Sequence, residues 1–233
     1  MRLAPGELHL WAWRLDSGLT ASKAQINVLS KAELNRMKML RRATDRELYA
    51  ICHANVRTTL GAYTGEPAQA VELIHGPHGK PFLKHSCGKI GLQFNLSHTT
   101  NLAVLVVCLG HAIGVDIEEV KPVDVSLPQQ CFSENEQLEL ARFSGDAWLR
   151  CFYNGWTRKE AILKAEGTGL TGSRLDAFDV TLQPNAPGKL LSYRPEAKLS
   201  RHWKLADITL DNNFIGAIAS SVIPDSISCY RLL

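Results

Sequence analysis

The chain is 233 residues long and 45 % hydrophobic, with a formal net charge of +3. That composition suits a packed core in one large domain or two of about 115 residues each, and so small a charge does not announce nucleic-acid binding. The longest apolar run, Leu102 to Leu109, is far short of the ~20 residues a membrane span needs, so neither nucleic acid nor membrane is expected as a partner.

Met1 to Glu7 reaches Pro5, Gly6 and Glu7 before any apolar stretch builds up, and is read as no signal peptide. Cys52, Cys87, Cys108, Cys131, Cys151 and Cys229 are scattered with no C-x-x-C pair, and read as reduced thiols of a cytoplasmic protein. His9 to Leu15 alternates around Trp11 and Trp13 and predicts a first strand. Ser30-Lys31-Ala32-Glu33 and Thr44-Asp45-Arg46-Glu47 are capping-box patterns, each expected to open a helix. The second helix should run from Asp45 to about Leu60 on the apolar face of Leu48, Ile51, Cys52, Val56 and Leu60, ended by Gly61 and the Gly65-Glu66-Pro67 stretch.

Leu92 to Leu96 and Leu102 to Leu109 predict strands joined by a polar turn, the second buried on both faces. His111 to Ile117 predicts another strand. Ser133-Glu134-Asn135-Glu136 is a third capping box, and a longer helix is expected from Trp148 to Glu166. Ala177 to Leu182, Leu190 to Tyr193, Trp203 to Thr209 and Phe214 to Ser220 read as closing strands. Helices and strands recur in similar order in both parts, so two packed α+β halves are expected, 1–110 and 111–233.

Two clusters carry chemistry. In Gly114-Val115-Asp116-Ile117-Glu118, the two carboxylates lie two apart on a strand and share a side, with Ile117 facing the core. Two like charges so placed call for a cation between them. In Trp156-Thr157-Arg158-Lys159-Glu160-Ala161-Ile162-Leu163-Lys164, Glu160 and Lys164 share a helix face. Three carboxylates with nearby lysines are what magnesium and a diphosphate need between them. Each cluster also has an ordinary structural explanation: a solvated acidic strand end, a Glu-to-Lys helix pair, or a capping box at Thr157 to Glu160. The apolar spacing of Trp148, Phe152, Tyr153 and Trp156 favours a continuous helix over that cap, with Gly155 tolerated inside it.

These residues resemble the motifs of the Sfp-type 4′-phosphopantetheinyl transferases. The family has a G-[IV]-D-[IVL]-E strand followed by W-x-x-K-E-A/S-x-x-K, matched by Gly114 to Glu118 and Trp156 to Lys164. Gly79-Lys80-Pro81-Phe82-Leu83, Asn95-Leu96-Ser97-His98, Phe132-Ser133 with Glu136, and Gly167-Thr168-Gly169-Leu170 fall in the family's order. The resemblance implies two pseudo-symmetric halves, each a small, mostly antiparallel sheet packed with helices, with the active site in the cleft between them. It implies transfer of the 4′-phosphopantetheine arm of coenzyme A to a carrier-protein serine with magnesium, releasing 3′,5′-ADP, as in holo-acyl-carrier-protein synthesis.

By the same resemblance Asp116, Glu118 and Glu160 are metal ligands, and Glu160 and Lys164 are the catalytic pair. Lys80, Pro81, Ser97, His98, Lys159 and Lys164 are coenzyme A contacts. Arg41 and Arg42, within the basic run Arg36, Lys38, Arg41, Arg42 and Arg46, are candidates for the 3′-phosphate or the carrier. Tyr49 stands about where some members place a phosphate-contacting Thr or Arg. Trp156 is expected to pack the helix and orient Glu160, with no chemistry of its own. The expected partners are coenzyme A and acidic, helical apo carrier proteins, met by a monomer, with Val120 to Gln130 as the carrier-docking segment.

Rival readings remain. Gly167 to Gly172 satisfies G-x-G-x-x-G, but a helix precedes it and a strand follows, the reverse of a dinucleotide site. His75, His78, His85 and Cys87 suggest zinc at spacings that fit no standard finger. A coenzyme A-binding protein without catalysis, or a magnesium-dependent diphosphate-processing enzyme, is the third alternative.

Overall fold

The computed structural model describes residues 1–16, 18–84, 91–169, 174–200, 202–224 and 227–231. His85, Cys87 and Leu170 to Gly172 lie outside the described residues, and with them parts of the zinc and glycine-rich readings. In chain order the elements are β1 (Leu8–Arg14), α1 (Lys23–Asn27), α2 (Lys31–Met39), α3 (Ala43–Thr64), β2 (Leu73–His75), β3 (Pro81–Leu83), β4 (Leu92–His98) and β5 (Leu102–Leu109). Then come β6 (Ile113–Glu119), α4 (Pro128–Cys131), α5 (Glu134–Leu140), α6 (Gly145–Glu166), β7 (Phe178–Val180), β8 (Leu190–Tyr193), β9 (Lys204–Ile208), β10 (Phe214–Ser220) and β11 (Ser228–Arg231).

The halves repeat one plan. A first strand, a 22-residue helix, a small hairpin and a second hairpin give β1-α3-β2β3-β4β5, then β6-α6-β7β8-β9β10. In each half the first strand pairs antiparallel with the last, giving the strand orders β1-β5-β4 and β6-β10-β9. Alternation along the strands builds four layers. Trp11, Trp13, Ala103, Leu105 and Val107 face α3. Leu10, Val104, Val106, Val115, Ile117 and Ile218 fill the space between the two sheets. Ala217 and Ala219 face α6. β5 is buried on both faces, as its unbroken apolar run requires.

One element crosses the expected boundary at 110/111. β11 returns to the first sheet and pairs parallel with β1, Leu10 opposite Cys229 and Trp11 opposite Tyr230. The edge of β1 would otherwise offer unpaired backbone groups, which the last strand satisfies.

Two predicted helix limits also move. α3 starts at Ala43 after Arg42, which makes no side-chain cap, and runs through Gly61 to a left-handed Gly65. Glu47 is not a capping partner; it accepts the Ala21 amide at 2.8 Å. Gly61 belongs inside the helix because a Cβ there would meet the Glu66 carbonyl at 2.6 Å. Gly155 is explained likewise: a Cβ would lie 2.4 Å from Leu182 and 2.8 Å from Phe132. The capping boxes at Ser30/Glu33 and Ser133/Glu136 form as read. Cys52, Cys108, Cys131 and Cys151 are buried free thiols, and burial pushes Cys52 and Cys131 up to about 12.

Glu33 ties α2 to α3. Its carboxylate accepts the Ser30 amide at 2.7 Å and Arg57 Nε at 2.6 Å, and His53 Nδ1 stands 3.4 Å away. Burial alone would raise its pKa, but these hydrogen bonds outweigh that and hold it down at about 2, against 4.5 for a free glutamate. Its folded pKa is therefore below the unfolded one. Its stabilisation is present above pH 4.5 and is lost as pH falls toward 2. Glu33→Gln should cost about 1–3 kcal/mol at neutral pH by stranding Arg57. It should also flatten the acid limb of a melting-temperature profile below pH 4.5; an unchanged acid limb would contradict this.

Candidate active site

The cleft forms where β4 of the first half meets β6 and α6 of the second. Its floor is a cavity of about 300 Å³ lined by Leu96, Ser97, His98, Asp116, Glu118, Trp156, Glu160 and Lys164. Gly114 brings β6 against the backbone of α6. A Cβ there would lie 2.1 Å from the Ala161 carbonyl and 2.3 Å from the Ala165 amide. With the strand this close, Asp116 two residues on faces Glu160 and Lys164. Asn95 and Ser97, on one side of β4, join the halves: Asn95 Oδ1 accepts the Val115 amide at 2.9 Å, and Ser97 Oγ donates to Asp116 Oδ1 at 3.0 Å.

The three expected carboxylates share this cavity. Burial first, then the Asp116 and Glu118 charges, push Glu160 up to about 7, against the pull of Lys164. Burial and Asp116 likewise raise Glu118, partly offset by a hydrogen bond from Trp156. Asp116 Oδ2 and Glu160 Oε1 are buried without a hydrogen-bond partner among the described residues. Lys164 Nζ sits 2.6 Å from Asp116 Oδ1 and 2.9 Å from Ser97 Oγ. Among the described residues no three acidic, His or Cys side chains are gathered closely enough to hold a metal ion as they stand. The unpaired oxygens and the mutually raised carboxylates nonetheless suit a cation in charge and donor type.

Other expected residues take different places. Lys159 is fully buried; its ammonium lies 2.6 Å from Glu136 and donates to the Leu175 and Phe178 carbonyls at 2.7 and 2.5 Å. It is a core residue, not a coenzyme A contact. The Lys80 ammonium donates to the Ile113 carbonyl at 2.9 Å and the Ala165 carbonyl at 3.0 Å, clasping the halves at the negative end of α6. Arg41 and Arg42 are exposed at the start of α3, and the grooves beside the cleft take Arg36 instead. Trp156 does more than pack, since it lines the cavity and hydrogen-bonds Glu118. Thr157 is mid-helix, donating to the Tyr153 carbonyl at 2.8 Å, so the capping-box reading falls.

Ser97 and His98 lie at the end of β4 rather than in a turn, and His98 faces both the cavity and a neighbouring groove. Desolvation, opposed by a backbone hydrogen bond at Thr99 and reinforced by the Lys164 charge, lowers the His98 pKa. That groove, about 610 Å³, is lined by Arg36, Tyr49, His53, His98 and Thr99. A further groove of about 730 Å³ shares Arg36, Tyr49 and His53 with it and reaches Pro81. The Tyr49 and His53 rings stack at 4.0 Å. Neither Asn95 nor His53 was singled out in the sequence. Asn95 was legible from its even spacing with Ser97; His53 was hidden in an ordinary helix pattern.

The fold is two α+β halves with an acidic cavity at their seam. The family described as the 4′-phosphopantetheinyl transferase superfamily matches residues 112–219, a span that holds β6 and α6 with the whole acidic triad. The 4′-phosphopantetheinyl transferase HetI of Nostoc sp. is 32 % identical over 222 residues, 94 % of this chain and 90 % of that protein. The transferase gsp of Aneurinibacillus migulanus is 32 % identical over 45 % of this chain and 41 % of its own length. Sfp of Bacillus subtilis is 36 % identical over 39 % of each. The chain belongs to the 4′-phosphopantetheinyl transferase superfamily and is a 4′-phosphopantetheinyl transferase.

Gly114 tests the geometry. Gly114→Ala should push β6 off α6, cost about 1–3 kcal/mol of stability, and slow transfer by on the order of 100-fold by separating Asp116 from Glu160. A folded variant with unchanged rate, followed by melting and transfer assays together, would show that the close approach does not matter.

Proposed function

We propose that Asp116, Glu118 and Glu160 hold a magnesium ion at which coenzyme A gives up its phosphopantetheine arm to the serine of an apo carrier protein. The observation that supports this most is the pair of unpartnered buried carboxylate oxygens on Asp116 and Glu160, in a cavity already shared with Glu118 and Lys164. A bound magnesium ion supplies Lewis-acid polarisation of the phosphoryl oxygens. The protein's own share is positioning and charge. Lys164, a compact cation on a flexible stem, neutralises charge on the leaving 3′,5′-ADP. His98 donates to the diphosphate from the end of β4, while Ser97, its proton given to Asp116, orients that carboxylate and Lys164. The serine oxygen bonds to the β-phosphorus as the bridge to the α-phosphate breaks, and Glu160 takes the serine proton directly or through water.

The nucleotide end lies in the two linked grooves, between Pro81 and the Tyr49–His53 stack, with Arg36 meeting the 3′-phosphate. The carrier docks on residues 120–130 beside the acidic strand, where Val125 stands 77 % exposed. An acidic, helical carrier suits that surface, and the enzyme works there as a monomer in the cytoplasm. No helix among the described residues is long and apolar enough to cross a membrane.

Glu160→Gln should fold normally and lose transfer by at least about 100-fold. The readout is the mass of apo carriers incubated with coenzyme A and magnesium, where wild type adds one phosphopantetheinyl group. Because Glu160 titrates at about 7 in the metal-free protein, magnesium affinity should fall as pH drops below that value, with proton uptake by Glu160 competing. Coenzyme A cleavage without carrier modification would instead favour a diphosphate hydrolase, and retained transfer by Glu160→Gln would remove Glu160 from the chemistry.

A further inference from the structure

α6 carries three consecutive buried charges, and only one lacks a partner. Lys159 is spent on Glu136 and two carbonyls, and Glu160 faces the cavity with an unpaired oxygen. Arg158, about 1 % exposed, has every nitrogen committed. Its Nε and Nη2 grip both Asp207 oxygens at 2.9 Å. Its Nη1 donates to the Thr181 carbonyl and hydroxyl at 2.6 and 3.0 Å, and its Nη2 to the Ala186 carbonyl at 2.9 Å.

The partner Asp207 has a telling place in the sheet. On β9 it is registered opposite Ala217 of β10, and Ala217 is registered opposite Asp116 of β6. The three side chains therefore form one cross-strand row on the face that α6 covers. One end of the row, Asp116, is held by Lys164 at 2.6 Å; the other, Asp207, is held by Arg158. Six residues separate these two cations on α6, a rise of about 9 Å. Two inter-strand steps span about 9.5 Å. Helix and row match in length, with fully buried Ala217 allowing close approach at the middle. Gly188 leaves room for the far anchor, since a Cβ there would lie 3.2 Å from Arg158 Nε.

We infer that the Arg158–Asp207 pair is the far anchor of α6 and positions Glu160 against Asp116 and Glu118. Lys159–Glu136 already ties α6 to its own half; Lys164–Asp116 and Arg158–Asp207 hold the two ends of the cross-strand row and so set the roll and slide of the helix over it. Arg158 and Asp207 are positioning residues and touch no reactant. The inference rests on reading the three carboxylates as the cation site.

The test compares wild type with Asp207→Asn, which keeps shape and removes charge, and with Arg158→Lys. Circular dichroism and melting establish that each is folded at the assay temperature. Calorimetry measures magnesium binding to the metal-free proteins, and steady-state assays separate kcat from the KM for coenzyme A. Asp207→Asn should lose at least about 10-fold in kcat and about 5-fold in magnesium affinity, with KM within about 2-fold. Arg158→Lys should behave alike, because one ammonium cannot meet Asp207, Thr181 and Ala186 together. Should Asp207→Asn not fold, Asp207→Glu, which displaces the charge by one methylene, carries the same expectation. A folded variant with a lower melting temperature but wild-type kcat and magnesium affinity overturns the inference, for it marks only a stabilising contact. If wild type itself binds no magnesium, the cation-site reading fails, and kcat of the folded variants alone decides the anchor.

Discussion

The close contact between β6 and α6 is the constraint on which the rest depends. Gly114 removes the side chain that would hold strand from helix, and the carboxylates of both elements then share one small volume. Burying three negative charges together is unfavourable, as the raised pKa of Glu160 and Glu118 shows. The fold offsets this in part with Lys164, and among the described residues leaves one oxygen each of Asp116 and Glu160 without a hydrogen-bond partner. Such local frustration persists only where the surroundings over-determine it. Here they do, through a fully buried guanidinium on one flank of α6 and a fully buried ammonium on another.

The four-layer arrangement explains why the site sits at the seam. Each half covers its sheet with one long helix, and the bare faces of the two sheets pack together. The ends of β4 and β6 come side by side, and two hydrogen bonds cross between them, one accepted by Asn95 from the Val115 amide and one donated by Ser97 to Asp116. The cavity thus draws on both halves: β4 supplies neutral donors, and β6 and α6 supply charge.

Much of this was legible in the sequence because the governing signals are short-range. Two-residue spacing put Asp116 and Glu118 on one side with Ile117 in the core, and four-residue spacing put Glu160 with Lys164. What escaped depends on distant partners. Lys159, expected by resemblance at coenzyme A, has no local signal of the Glu136 carboxylate and the carbonyls of Leu175 and Phe178 that close around it. Arg158 has no local signature, because Asp207 lies 49 residues away on an edge strand. α3 begins two residues earlier than its sequence pattern suggests, which puts Arg42 at its N-cap, while Arg36 on α2 lines the groove. The short β2, β3 and β11 carry too few residues for a periodic pattern; β11 is recognisable only through the open edge of β1.

The return of β11 to the first sheet has a mechanical meaning. The chain leaves the first half at β5, builds the second, and comes back to bond along β1. Lys80 reaches from the first half to two carbonyls of the second, and Arg14 meets Asp211 across the seam at 3.0 Å. Among the described residues these stitches, set at separate points along the seam, resist any swing of one lobe away from the other, and the gap between them is braced on more than one side.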